Sequence, residues 1–207
     1  SGVIEEDFEI PRTFGTSVTY PQIVGVTNGK LVLLLRGESV DPTYTHSERQ
    51  SWWESENWLN AWDDETDPPS FSKVAEFIDS GNRAEATVYV LYTPVVDTAG
   101  NIHIGWHWLN ETTKTQYNTC YARYDTVQGR WEQADGTPYI DERGEPVPIT
   151  LANAEVVSST MATWAENLDV DETGRPYISN GYELHVWETG QWVSRTPPEH
   201  IVLLEVV

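Results

Sequence analysis

Seven side chains in this 207-residue sequence have the chemistry to handle a proton or an anion, and their spacing gathers them along one edge. His107 can take a proton near neutral pH and Tyr117 can supply one, while the guanidinium of Arg36 or Arg83 can quiet a carboxylate. Tyr20, Tyr92 and Asn110 add rings and hydrogen-bonding groups for a polar ligand. The gathering follows from hairpin geometry, which brings the start of the first strand and the end of the second to one edge, opposite the turn. Tyr20 and Arg36 hold those positions in one repeat, and Tyr92 and His107 in the next. Asn110 and Tyr117 belong to the connection that follows, and Arg83 lies just before the second repeat. Alternation puts His103, Gly105 and His107 on one strand face and Ile102, Ile104, Trp106 and Trp108 on the other. Such a strand would pack its apolar face and turn its polar face toward a cleft.

Other chemistries are less well served. His103 and His107 would align as ligands on a helix, but on a strand they stand about 13 Å apart, too far for one ion. The turns Asp97–Gly100 and Asp171–Gly174 could hold Ca²⁺ but lack the ligand density of a dedicated loop, so no cofactor is implied. A glycosidase would need two carboxylates about 5–10 Å apart, and 33 acidic residues offer too many candidates to choose from. Each singled-out residue also has a purely architectural reading: His107 as a hydrogen-bonded histidine between packed sheets, Arg36 as half of an ion pair.

The elements that must position these residues come as internal repeats. Tyr20–Val26 turns at Asn28-Gly29 into Lys30–Arg36, Tyr92–Asp97 turns at Gly100 into Asn101–Trp108, and Asn167–Asp171 turns at Gly174 into Arg175–Asn180. Glycine supplies the positive φ that such turns require. Each unit continues into further strands ending in tryptophan: Thr119–Asp125 with Trp131, and Tyr182–Trp187 with Gln191–Val193. Four short strands in up-and-down order make a β-propeller blade. The fold expected is all-β, with about three four-stranded antiparallel blades over residues 15–80, 83–150 and 160–207 of a single propeller domain or propeller segment spanning 1–207. Glu38–Pro69 reads as a loop excursion or a distorted outer hairpin, Asp135–Pro148 as loop, and Phe71–Ile78 carries marginal helical periodicity. Three blades do not close a ring, and the apolar run 200–207 wants a partner strand, so further blades or subunits are expected to complete the propeller.

Composition narrows the partners. The net charge of −21, with 33 acidic residues against 12 basic, opposes binding to nucleic acid or to an anionic membrane. A lysine-poor acidic surface fits either a saline habitat or an ordinary acidic secreted protein. Ten Trp and ten Tyr suit both a propeller core and a carbohydrate-binding surface. Cys120 is the single cysteine, so there is no disulfide framework. No run is long and apolar enough to span a membrane as a helix, and the first residues show no signal-peptide pattern.

The run Tyr92–Ile104 with Trp106-His107-Trp108 and Cys120-Tyr121-Ala122-Arg123 resembles the BNR-repeat family that includes ulvan lyases. So do Tyr20-Pro21-Gln22 and Trp131–Tyr139 followed by Pro148-Ile149-Thr150. The resemblance covers roughly residues 18 to 180. It implies a β-propeller acting on acidic polysaccharide. A lyase cleaving such a substrate by β-elimination needs a base, a cation or donor for the carboxylate and an acid, and His107, Arg36 or Arg83, and Tyr117 have those chemistries on one edge. Arg83, Tyr92, Tyr20 and Asn110 would bind substrate. The sequence departs from the pattern in a degraded Asp box, reduced to Tyr124-Asp125, Gly129 and Trp131, and in Tyr117 where relatives often carry His. The rival expectation is a non-catalytic, glycan-binding or structural propeller component, extracellular or on a surface or virion from a saline habitat.

Overall fold

A computed structural model describes residues 18–25, 31–38, 55–63, 70–79, 87–91, 93–110, 112–160, 167–181 and 183–196. Every regular element among them is a β-strand. The first sheet runs β1 (Val18–Gly25), β2 (Leu31–Glu38), β3 (Ser55–Asp63) and β4 (Ser70–Ile78), each antiparallel to the next. The third runs β11 (Asn167–Val170), β12 (Pro176–Ser179), β13 (Leu184–Glu188) and β14 (Gln191–Arg195) in the same up-and-down order.

The second sheet also has four positions, but both its edges are split. On one edge β5 (Thr87–Leu91) and β6 (Val95–Val96) share the partner β7 (Ile102–Asn110). On the other, β9 (Arg130–Glu132) and β10 (Glu155–Ser158) share β8 (Thr115–Asp125). Residues 55–63, within a stretch whose sequence allowed either a loop or a distorted hairpin, form the third strand of the first sheet. Residues 70–78 are strand as well. Their marginal helical period yields to pairing, with Ala61 opposite Ser72 and Trp62 opposite Phe71. Residues 135–148 are the irregular segment expected, held by isolated bridges such as Ile140 to Pro146.

Neighbouring sheets meet face to face. Val24, Val32, Leu34, Phe77 and Ile78 from the first share one core with Ile102, Ile104, Trp106 and Trp108 from the second. The seam also takes backbone bonds, since Asp79 N donates to Ile149 O at 2.9 Å and Ile149 N to Phe77 O at 2.8 Å. Phe77 stacks on Trp131 with ring centroids 4.7 Å apart. A smaller core of Tyr121, Val157, Leu168 and Ile178 joins the second sheet to the third. Burying large side chains this fully contributes about 1.5–3 kcal/mol each.

This double packing changes the reading of β7. Its whole run from Ile102 to Leu109 is buried, including His103 and His107. The histidine face expected to approach an open cleft is covered on this strand.

Candidate functional site

The expected edge is only partly within the described residues. Arg83 and Tyr92 lie outside them, as does 200–207. Tyr20 and Arg36 are placed by backbone: Arg36 sits on β2 opposite Thr19 and Asn57, and Tyr20 lies where the β1–β2 register shifts between Thr19 and Gln22. Asn110 ends β7, and its Oδ1 accepts the Thr113 N–H at 2.9 Å, which ties down the β7–β8 turn. His107 is 1 % exposed and pairs with Thr119 across the ladder.

Tyr117 is displaced by a bulge. Trp108 pairs with Tyr117 while His107 pairs with Thr119, so Asn118 is an extra residue, with φ at 52°. Paired residues share a face, so the bulge carries Tyr117 to the side of Trp108, where it packs against the larger core. Without the bulge, alternation would have left Tyr117 on the face of His107 and Thr119.

A connected polar chain lies farther along the same strands, toward the Asp97 turn, and the sequence reading did not anticipate it. His103 Nδ1 is 2.6 Å from the Tyr121 hydroxyl and His103 Nε2 is 3.1 Å from Asp97 Oδ2, with all three side chains buried. Asp97 also accepts the backbone N–H groups of Ala99 and Asn101 and the Asn101 side-chain amide, each at 2.9 Å. Burial opposes ionisation of Asp97, but hydrogen bonds from His103 and Asn101 outweigh it and hold the carboxyl well below the ordinary carboxylate range. Burial lowers the pKa of His103 despite the Asp97 charge beside it. Burial likewise raises that of the Tyr121 phenol well above its usual value. This set therefore rests as carboxylate, neutral imidazole and neutral phenol. The Asp-x-x-Gly turn followed by a histidine on the next strand was the signal available for it. Alternation alone places His103 on the polar strand face beside His107 and does not reveal these partners.

Asp171, at the equivalent turn of the third sheet, is used in the same way. It accepts the Thr173 N–H at 2.9 Å and hydroxyl at 2.6 Å, Arg175 Nε at 2.8 Å and the Tyr177 hydroxyl at 3.1 Å. Both aspartates thus spend their oxygens within their own hairpins. Glu132 is bridged by two guanidiniums, from Arg123 at 2.6 Å and Arg130 at 3.0 Å. Glu155, its pKa raised by burial, takes the Ala134 N–H at 2.7 Å and Trp192 Nε1 at 3.0 Å, bonding the second sheet to the third. The Cys120 thiol is pushed up to about 12 by burial and is inert as a nucleophile at neutral pH.

Among the described residues, three four-position antiparallel sheets packed face to face through shared cores define a protein of the β-propeller class. The chain belongs to the BNR repeat-containing family, which it matches over residues 5–198. No curated protein matches the sequence. Among solved structures, the fold is similar to a PL25 ulvan lyase, with a TM-score of 0.58 at 16 % identity, covering 88 % of this chain and 44 % of that one. It is similar also to a PL25 ulvan lyase bound to -[GlcA(1-4)Rha3S]-, with a TM-score of 0.57 at 16 % identity, covering 86 % and 43 %. The polysaccharide lyase Uly1 aligns with a TM-score of 0.53 at 16 % identity, covering 87 % and 37 %. The chain therefore spans less than half the length of each of these structures.

Proposed function

We propose that this chain is a carbohydrate-directed propeller segment whose partner is an acidic, uronate-containing polysaccharide, and that the reaction supported is β-elimination. Family membership, with a fold similar to structures described as polysaccharide lyases, is the observation that carries this reading. In the elimination His107 would take the proton α to the uronate carboxylate, and the electron pair would form the new C=C bond as the glycosidic C–O bond breaks. Tyr117 would return a proton to the leaving oxygen. Arg36 would neutralise the carboxylate, and Arg83, Tyr92, Tyr20 and Asn110 would line the sugar path. Further blades or subunits would complete the ring, since the chain covers less than half of each similar structure. An extracellular or surface location fits a polymeric substrate.

A second reading, a non-catalytic glycan-binding or structural propeller, is favoured by two observations. His107 is almost wholly covered, and Tyr117 sits across the bulge on the other face of the sheet. Incubation with glucuronate-containing polysaccharide separates the two readings. A lyase generates unsaturated ends that absorb in the ultraviolet, and His107→Ala and Tyr117→Phe each lower the rate about 10²–10⁴-fold. Full activity in both variants clears these residues. No product from any acidic polysaccharide leaves the binding reading.

A further inference from the structure

Where the second sheet meets the third, the turn edge opposite His107 opens into a cleft of about 510 Å³. That volume lies within the roughly 300–1,000 Å³ of small-ligand sites. Tyr121 and Arg123 of β8 form one wall. Thr173, Arg175, Trp187 and Glu188 of the third sheet form the other. The aromatic side is continuous, since Trp192 meets Tyr121 edge-on at 5.3 Å and Trp187 at 5.6 Å.

The charges are unusual for so acidic a chain. Nine arginines serve all 207 residues, and two of them, one on each wall, line this cleft. Arg123 gives one nitrogen to Glu132, which Arg130 also bridges, and its buried Nε has no acceptor among the described residues. Arg175 is bonded to Asp171 through Nε and Nη2, with its side chain 43 % exposed. The lining carboxylate, Glu188, is answered from outside by Arg195 at 2.8 Å. The nearby Asp97 and Glu155 carboxylates are taken up by turn and inter-sheet hydrogen bonds. Guanidiniums on facing walls, Arg123 with its side chain 26 % exposed and Arg175 43 % exposed, with the Trp187 ring in the same lining, suit a flat polar ring bearing an oxyanion.

We propose that this cleft binds one anionic sugar unit, its carboxylate or sulfate held between Arg123 and Arg175 and its ring against Trp187, as a second glycan site remote from the His107 edge. The proposal rests on the carbohydrate-directed reading but not on catalysis. It is tested on the full chain by following tryptophan emission while adding three tetrasaccharides: one glucuronate-containing, one sulfated without carboxylate, and one neutral. At least one anionic probe is expected to bind at least tenfold more tightly than the neutral one, and the stronger of the two identifies the oxyanion. Arg175→Gln should weaken the cleft's share of that binding at least tenfold, and Thr173→Trp, which fills the cleft from an exposed position, should remove that share. His107→Ala and the distant Arg143→Gln should leave it unchanged. Equal binding of neutral and anionic probes overturns the proposal, as does wild-type affinity in Thr173→Trp or a loss on His107→Ala as large as on Arg175→Gln. Loss of elimination activity in His107→Ala with tetrasaccharide binding intact would show the two sites to be separate. Binding by neither anionic probe overturns the cleft while leaving the polysaccharide assay to judge the lyase reading.

Discussion

Gly174 lies so close to Asp97 that a Cβ built on it would sit 3.2 Å from Asp97 Oδ2. The two residues belong to equivalent turns of adjacent sheets, and the oxygen concerned is the one hydrogen-bonded to His103. Thr98 Oγ1 adds a bond to Glu172 O at 3.4 Å across the same seam. The turn of one sheet is thus nested on the turn of the next, with the buried polar chain directly behind.

Replacing Gly174 with alanine should be costly on two counts. Its φ of 78° is a conformation that L side chains rarely adopt, and the added methyl would press on a carboxylate that several hydrogen bonds hold in place. A loss of about 1–3 kcal/mol is expected in denaturant unfolding. Gly144→Ala, at a similar φ with nothing within 4 Å, should lose less, and equal losses would show that contact with Asp97 is unimportant.

Acid should destabilise the protein through the same chain. Asp97 has its folded pKa depressed, so its contribution is complete above the ordinary value of 3.8 and is lost as pH falls through the folded value. His103 is kept neutral by burial, so the unfolded chain binds the extra proton below its ordinary value of 6.5. Asp97 makes stability rise with pH up to about 3.8, and His103 extends the rise to about 6.5. The melting temperature should fall between pH 7 and pH 4, and His103→Gln should flatten the upper part of that slope. An unchanged slope would assign it to other groups.

Asn118 should tolerate glycine but not a β-branched residue. It occupies the left-handed region at φ 52° in the bulge that sends Tyr117 to the core side. Asn118→Gly should be near neutral, whereas Asn118→Val should cost roughly 1–2 kcal/mol. Matching stabilities in the two variants would mean that the bulge relaxes without cost.

Association should depend on salt if other chains complete the ring. With a net charge of −21, repulsion between copies falls as the screening length shrinks from about 10 Å at 0.1 M salt to about 3 Å at 1 M. Light scattering should detect a larger particle at the higher salt. A monomer of constant size across the range would oppose completion by copies of this chain.

Much of the architecture was legible locally. The hairpins turning at Gly100 and Gly174 depend on alternation with period two and on glycine at a turn, both properties of a few adjacent residues. So does the burial of Ile102, Ile104, Trp106 and Trp108 on one face of β7. What the sequence could not reveal depended on which face met which sheet. The histidine face of β7 resembles an open polar face until a third sheet covers it. A bulge of one residue at Asn118 reverses the side on which Tyr117 falls, and no spacing rule anticipates it. The link from Asp97 through His103 to Tyr121 spans three strand segments. The cleft pairs Arg123 with Arg175 only because two sheets pack at one seam. Those relationships join residues distant in the chain through long-range packing, so only the tertiary structure could decide them.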